Sequence, residues 1–115
     1  MTSALACMGI RPGGSSAAVA AYLIADIRVD DVDRYQDYVA NVPALVARHG
    51  GRYRVRGGAV DVLEGPWSPG RLVILEFPDR AAALAFYNDP AYAPFKALRQ
   101  AVTASAVAIV DGWNG

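Results

Sequence analysis

The clearest alternation of apolar and polar residues lies between residues 52 and 62, and it predicts the first strand of a hairpin. Two apolar residues alternate with three arginines, in the order Arg52, Tyr53, Arg54, Val55 and Arg56. This period of two is typical of a strand with one buried face. The apolar residues move to the opposite parity after Gly57-Gly58, and a strand keeps one buried face through such a change only if a residue is inserted. We therefore expect a β-bulge at these glycines, either near a functional site or simply bending an edge strand.

The second strand of the hairpin follows a loop. Residues 64–70, EGPWSPG, contain two glycines, two prolines and a serine around Trp67, which is the composition of a loop. Residues 71–77, RLVILEF, are apolar on both parities, as is typical of a central strand covered on both faces. The arginine-rich first strand is then expected at the sheet edge, and Trp67 is expected to pack against a neighbouring segment or a partner chain.

A strand and a helix precede the hairpin. Residues 19–28 predict a strand, and Asp30 or Asp31 is expected to cap the helix that follows. Apolar residues recur in this helix at three- and four-residue steps. Pro43 lies inside it and predicts a kink, and Gly50-Gly51 is expected to end it.

A second helical region and a last strand follow the hairpin. The second helix is expected to open at Pro78-Asp79 and to stop and restart at Asp89-Pro90, with Asp89 as the N-cap and Pro90 at the first helical position. Residues 105–110, SAVAIV, predict the last strand.

The order β-α-β-β-α-β predicts a ferredoxin-like α+β fold. Its two crossovers must be right-handed, and the compact solution is an antiparallel sheet of order 4-1-3-2 with both helices on one face. Strands one, three and four are apolar on both parities, so the other face also needs a cover. A second copy of the same face is the simplest one. The sequence thus predicts a homodimer in which two sheets pack face to face as a dimeric α+β barrel.

Composition narrows the class of protein. The 115 residues suit one domain, expected over residues 19–115, and 54% hydrophobic content with mean hydropathy +0.20 favours a buried oligomer surface. A formal net charge of zero argues against nucleic-acid binding. The single Cys7 excludes an internal disulfide or a cysteine metal cluster, and a lone His49 argues against a histidine metal site. Residues 1–18 are expected to be a disordered extension rather than a signal peptide, and no apolar run is long enough to span a bilayer, so we expect a cytoplasmic protein without membrane contacts.

Several segments together carry a family resemblance. They are GGRYRVRGGAVDVLEG, RLVILEFPD, FYNDPAY with KALR, and IVDG. Over about residues 20–113 the chain resembles the "domain of unknown function thirteen-thirty" family of the dimeric α+β-barrel superfamily. The resemblance implies the ferredoxin-like dimer. Superfamily members include cofactor-independent monooxygenases, muconolactone-isomerase-like enzymes and haem-degrading proteins, but a shared fold does not transfer chemistry. The haem enzymes' ligand histidine has no clear counterpart, since nothing beyond His49 marks a haem pocket.

Arg56 and Glu76 are the first candidate site residues. Glu76 is the one acidic residue in an apolar central strand, and hairpin pairing around the 64–70 loop is expected to bring it near Arg56. A carboxylate in a covered strand needs a partner. The pair is either a salt bridge that fixes the bulge or a ligand-binding arginine oriented by Glu76. If Arg56 is not the partner, Arg54 or a tyrosine hydroxyl is next.

The remaining candidates are one histidine and several tyrosines. His49 could act as a general base, although such a residue more often completes a helix C-terminus. Tyr35, Tyr38, Tyr87 and Tyr92 could line a pocket between helices and sheet, and Tyr92, beside the Asp89-Pro90 break, is the best placed. Asp26 and Glu76 are expected at opposite edges of the sheet, so they do not form a carboxylate pair.

Two functional hypotheses follow. The first is a dimer that binds a small anionic or carbonyl-bearing organic molecule through Arg56, Glu76, Tyr92, Tyr35 and His49, with cofactor-free acid–base or oxygenase-like chemistry as its catalytic option, and His49 and Glu76 as weak catalytic candidates. The second is a non-enzymatic structural or binding module whose polar residues serve only fold and dimer. An open pocket containing Arg56, Tyr92 or His49 would favour the first.

Overall fold

The chain forms four strands and three helices in the order expected from the sequence. The computed structural model describes residues 19–114, so the prediction for residues 1–18 lies outside the described part. The elements are β1 (Ala21–Val29), α1 (Val32–Arg48), β2 (Arg52–Arg56), β3 (Arg71–Phe77), α2 (Arg80–Tyr87), α3 (Ala93–Val102) and β4 (Thr103–Asp111).

The four strands form one antiparallel sheet of order β2-β3-β1-β4, which confirms the predicted ferredoxin-like topology. β1 lies in the centre, with Leu23 opposite Leu75 of β3 and Ile109 of β4. β2 is an edge strand and β3 an inner one, as the apolar patterns predicted. The helices cover one face, where the core residues of β1 and β3 are buried against α1, α2 and α3.

Local chemistry explains where α1 begins and ends. The Asp31 carboxylate accepts a hydrogen bond of 3.1 Å from the backbone N–H of Arg34, which satisfies one of the free donors of the first turn. The chain leaves the helix through Gly50, whose φ of 76° lies in the left-handed region that favours glycine. Pro43 lies inside α1, which continues to Arg48.

The region between α2 and α3 differs from the prediction. Asp79 caps α2 as expected, accepting from the Ala82 N–H at 2.8 Å. However, α3 begins at Ala93 rather than at Pro90. Asp89 instead stabilises the turn before α3, because its carboxylate accepts from the Ala91 N–H and its carbonyl from the Tyr92 N–H.

The hairpin differs more. β2 ends at Arg56, and residues 57–70 form a loop in which no strand continues. The bulge predicted at Gly57-Gly58 lies at Arg54, since Tyr53 is opposite Leu75 while Val55 is opposite the next residue, Ile74. Gly57 has a φ of 75°, and its N–H donates the last bond of the hairpin to the Leu72 carbonyl. The apolar alternation after Gly58 therefore belongs to a segment that finds no strand partner among residues 19–114.

The sheet has a second face that carries no helix, which we call the open face. Strand alternation and register place the following residues on it: Tyr22, Ile24, Asp26, Arg28, Arg52, Arg54, Val55, Leu72, Ile74, Glu76, Ala104, Ala106, Ala108 and Val110. The centre of this face is apolar, and Val110 is 47% exposed. None of the helices in the described range is long and apolar enough to cross a membrane.

Candidate functional site

A cavity of about 40 Å³ lies between the helices and the sheet. By a criterion of roughly 10–15 Å³ per water, it holds about three water molecules. Its floor is formed by apolar residues of β1 and β3, and its walls by aromatic and cationic side chains. The polar lining residues are Tyr35, Tyr38, Tyr53, Tyr87, Tyr92, Arg56, Arg71 and Arg99.

The bulge in β2 brings Arg56 to the cavity. Strict alternation would place Tyr53 and Arg56 on opposite faces of the sheet. With Arg54 inserted between the paired positions, both residues lie on the helix side. The Arg56 guanidinium lies 4.7 Å from the centre of the Tyr53 ring, and its Nη2 donates to the Val39 carbonyl at 3.4 Å. Arg56 remains exposed, so it lies at the mouth of the cavity.

Arg99 forms the deep end of the cavity. Only 3% of this residue is exposed, and its Nη1 donates to the Ser105 hydroxyl at 2.5 Å. Burial lowers the pKa of Arg99, whereas the electrostatic attraction of Tyr92, followed by its hydrogen bond and by Tyr38, raises it, and the net shift is upward. Arg99 therefore stays a cation in a nearly dry environment.

Arg71 supplies a third guanidinium. It precedes Val73 and Leu75 on the helix side of β3, where its Nε is buried and has no hydrogen-bond partner among residues 19–114. The guanidinium also packs against Gly57 at the end of β2. A side chain at Gly57 would displace it, so this glycine is needed for both its backbone angle and its contact.

The tyrosines form a connected aromatic wall. The hydroxyls of Tyr38 and Tyr92 are 2.6 Å apart and share one hydrogen bond. The Tyr38 ring stacks on Tyr35 at 5.4 Å between centres. Burial, followed by the nearby Tyr92 hydroxyl, raises the pKa of Tyr38 far above its usual value, and burial also raises the pKa of Tyr35 and Tyr53. These hydroxyls are consequently neutral donors near pH 7 rather than bases.

The charges of the cavity do not balance within the described chain. Four ion pairs occur among residues 19–114, and none of them includes Arg56, Arg71 or Arg99. The cavity lining contains no aspartate, glutamate or histidine, and residues 1–18 contain no acidic residue at all. The site has three cations and needs negative charge from elsewhere.

The predicted pairing of Arg56 with Glu76 is wrong. Glu76 lies opposite Arg52. Arg56 lies opposite Val73, which is three residues before Glu76 in β3. The Glu76 carboxylate instead accepts from Arg54 Nε at 2.6 Å on the open face. The register prediction failed because it counted a tight loop of seven residues where the chain has a loop of residues 57–70.

His49 and Asp26 also lie outside the cavity lining. The His49 ring is 2.8 Å from the Asp89 carboxylate, which Arg48 also approaches at 3.3 Å. The hydrogen bond with His49, followed by that from the Ala91 N–H, lowers the pKa of Asp89. This cluster joins the end of α1 to the turn before α3, so it is a structural contact.

Asp26 holds the loop of residues 57–70 against the sheet. Its carboxylate accepts from Trp67 Nε1 at 3.0 Å and from the Gly70 N–H at 2.8 Å. The first of these bonds, followed by the second, lowers the pKa of Asp26. Asp26 is opposite Leu72, four residues from Glu76, which confirms that the two carboxylates do not form a pair.

Sequence reasoning placed Tyr35, Tyr38, Tyr87, Tyr92 and Arg56 as candidates, and the structure brings all five to one cavity. The sequence-based prediction missed Tyr53, Arg71 and Arg99. A signal was present for both arginines. Arg71 has the parity of the buried residues of β3, and Arg99 lies seven residues after Tyr92, on the apolar stripe of α3. Among residues 19–114 no group of three or more metal-ligating side chains could hold an ion.

The sheet order and helix placement define a ferredoxin-like α+β protein. Its cavity between helices and sheet is lined by arginines and tyrosines. The chain belongs to the family described as Domain of unknown function (DUF1330), which matches residues 20–113. A comparison with curated proteins found no match.

Solved structures with this fold include three distant ones. A protein of unknown function from Rhodopseudomonas palustris has a TM-score of 0.70 at 20% identity, over 84% of this chain and 85% of its own. SnoaB, a cofactor-independent oxygenase from Streptomyces nogalater, has a TM-score of 0.56 at 16% identity, over 85% and 97%. A protein from Mycobacterium tuberculosis has a TM-score of 0.53 at 16% identity, over 84% and 97%. At these identities the likeness shows the shared fold.

Proposed function

We propose that this protein binds a small organic anion in the cavity between helices and sheet. The observation that carries the proposal is Arg99, a guanidinium only 3% exposed that has no acidic partner in residues 19–114. An isolated buried charge is costly, and proteins normally pair it. A ligand carboxylate would complete the site, because the planar guanidinium fork matches a carboxylate with two parallel hydrogen bonds.

The aromatic walls favour a flat ligand. Tyr35, Tyr38 and Tyr92 present ring faces and edges next to Arg99, and such surfaces pack best against another ring. The cavity of about 40 Å³ is smaller than the roughly 150 Å³ that holds benzene in an engineered core. Binding therefore requires movement at the mouth, where the exposed Arg56 side chain would leave the Val39 carbonyl and the Tyr53 ring.

The lining limits the chemistry that the site supports. Among residues 19–114, no carboxylate or imidazole lines the cavity to act as a base, and burial raises the pKa of Tyr35, Tyr38 and Tyr53, so these hydroxyls stay protonated near pH 7. Guanidinium and hydroxyl donors can stabilise an enolate or phenolate oxygen, so a catalytic role would use a substrate that ionises readily, without a cofactor. The shared fold with a cofactor-independent oxygenase is compatible with this oxygenase-like option, while acid–base catalysis by His49 or Glu76 finds no support in their positions.

The second candidate function, a structural module, rests on the open face. We propose that two copies pack through it as a homodimer. Ile24, Ile74 and Val110 form an apolar strip there, and Val110 is 47% exposed. Sedimentation equilibrium at micromolar concentration is expected to show a dimer. A species near 12.2 kDa alone would reject the homodimer.

A cytoplasmic location of the protein stays a prediction.

Calorimetric titration with benzoate, and with benzamide as its neutral counterpart, tests the binding proposal. We expect the full chain to bind benzoate and to bind benzamide at least tenfold more weakly, since the amide lacks the charge. Arg99→Met should remove benzoate binding. Arg34→Met changes an exposed arginine on α1 and should have no effect. Equal binding of the two ligands, or no benzoate binding at millimolar concentration, would count against an anion site.

A further inference from the structure

We propose that the cavity holds its ligand between two separate groups of arginines, and that the ligand class is a flat organic dianion with carboxylates at opposite ends. This inference rests on the proposed anion binding and extends it from one charge to two.

The sheet register separates the two groups. Ile27 of β1 lies opposite Arg71 of β3 on one side and opposite Ser105 of β4 on the other. Neighbouring strands are about 4.8 Å apart, so the backbones at Arg71 and Ser105 are about 10 Å apart across the cavity floor. Because the Arg99 guanidinium donates to Ser105, it belongs to the β4 side. Arg71 begins on the β3 side, next to Arg56 on β2.

The outer group consists of Arg56 and Arg71. Arg56 lies over the Tyr53 ring at the exposed mouth, and Tyr53 lies close to both arginines, whose charges act to lower its pKa against the dominant effect of burial. Arg71 has a buried Nε without a hydrogen-bond partner among residues 19–114. Two adjacent guanidiniums with free donors form a site for one carboxylate.

The inner group consists of Arg99 with the Tyr38 and Tyr92 hydroxyls. One of the two hydroxyls donates to the other across 2.6 Å, so the pair keeps one O–H proton to donate elsewhere. This proton and the guanidinium N–H groups of Arg99 are donors at this end, so the ligand group that meets them is an acceptor. The low exposure of Arg99 favours an ionised acceptor, because an unscreened cation gains most from a full negative charge.

An aromatic wall joins the two groups. Burial raises the pKa of Tyr35, and the charges of the nearby Arg71 and Arg99 both act to lower it. The Tyr35 ring stacks on Tyr38. A ring lying along this wall would direct one carboxylate to each group of arginines. Three cations without an acidic side chain in the lining also match two negative charges better than one.

Titration of the full chain with three ligands tests the inference. They are benzoate, terephthalate with its carboxylates at opposite ends of the ring, and phthalate with the same charge but adjacent carboxylates. Because the second carboxylate adds charge-assisted hydrogen bonds, we expect terephthalate to bind at least about tenfold more tightly than benzoate, and also more tightly than phthalate. In Arg56→Met the ratio of terephthalate to benzoate affinity should fall close to one, whereas Arg34→Met should keep it.

The outcomes separate the two proposals. If benzoate binds but terephthalate gains nothing, the two-ended site is wrong and the anion site stands. A gain shared equally by phthalate, or one that persists in Arg56→Met, also overturns the inference, because charge alone or another residue would then be responsible. If neither benzoate nor terephthalate binds, both proposals fail.

Discussion

Replacing Arg99 by methionine should leave the ligand-free protein as stable as before, or more stable. The side chain is 3% exposed, and its hydrogen bond to Ser105 is worth about 1.5–3 kcal/mol because one partner is charged. Against this, burying a guanidinium costs several kcal/mol, and near pH 7 its polar neighbours within residues 19–114 are neutral hydroxyls rather than acidic side chains. Methionine keeps most of the apolar stem, ends short of the guanidinium nitrogens and carries no desolvation penalty. We therefore expect a change in unfolding free energy between zero and a gain of about 2 kcal/mol.

Urea melts at pH 7 measure this change, and Ser105→Ala provides the contrast. Removing the Ser105 hydroxyl leaves the buried guanidinium without that acceptor, so Ser105→Ala should cost about 1–3 kcal/mol. Arg99→Met is thus expected to destabilise the protein less than Ser105→Ala does. A loss of more than about 2 kcal/mol in Arg99→Met would refute the reasoning, because breaking a satisfied buried pair costs about 3–5 kcal/mol. Together with lost benzoate binding, the expected result would identify Arg99 as a residue kept for function at a cost in stability.

Two further predictions concern ion pairs. In a double-mutant cycle, Arg54→Ala and Glu76→Ala should be coupled by up to about 1 kcal/mol, since the side chains are 50% and 26% exposed. The effects of Arg56→Ala and Glu76→Ala on the unfolding free energy should be additive. Coupling in this second cycle would contradict the register of β2 and β3. The hydrogen bond from His49 lowers the pKa of Asp89 below its usual 3.8, so its stabilising effect is present above that value and is lost as the pH falls through the lower pKa of the folded state. Melting temperatures between pH 5 and pH 2 should accordingly fall less in Asp89→Asn than in the unmodified chain, and parallel curves would show that Asp89 plays no part.

The sequence predicted those parts of the structure in which the polarity of a residue indicates whether its side chain faces the core. In β3, Val73 and Leu75 face the core, while Leu72 and Ile74 face the other side, and this pattern already identified an inner strand. The capping residues Asp31 and Asp79 were readable because their short carboxylates bond to the nearest backbone donors. These signals are local, and each depends on one or two neighbouring residues.

The parts that could not be predicted involve arginine. Its long apolar stem packs inside while its charge is counted as polar, so Arg56, Arg71 and Arg99 all gave the wrong orientation in a pattern of apolar and polar positions. In β2 the bulge was hidden for this reason. Arg54 and Arg56 look alike in sequence, yet one contacts Glu76 on the open face and the other lies at the mouth of the cavity.

The same property links the misplaced bulge to the proposed site. If β2 continued in strict alternation from Tyr53, Arg56 would lie on the open face near the proposed dimer surface, where a free cation would oppose apolar packing. The inserted Arg54 takes the position on the open face and is neutralised there by Glu76. Arg56 is thereby available to the cavity without a carboxylate of its own. The insertion thus leaves a paired arginine, Arg54, on the proposed interface and brings an unpaired one, Arg56, to the proposed ligand site.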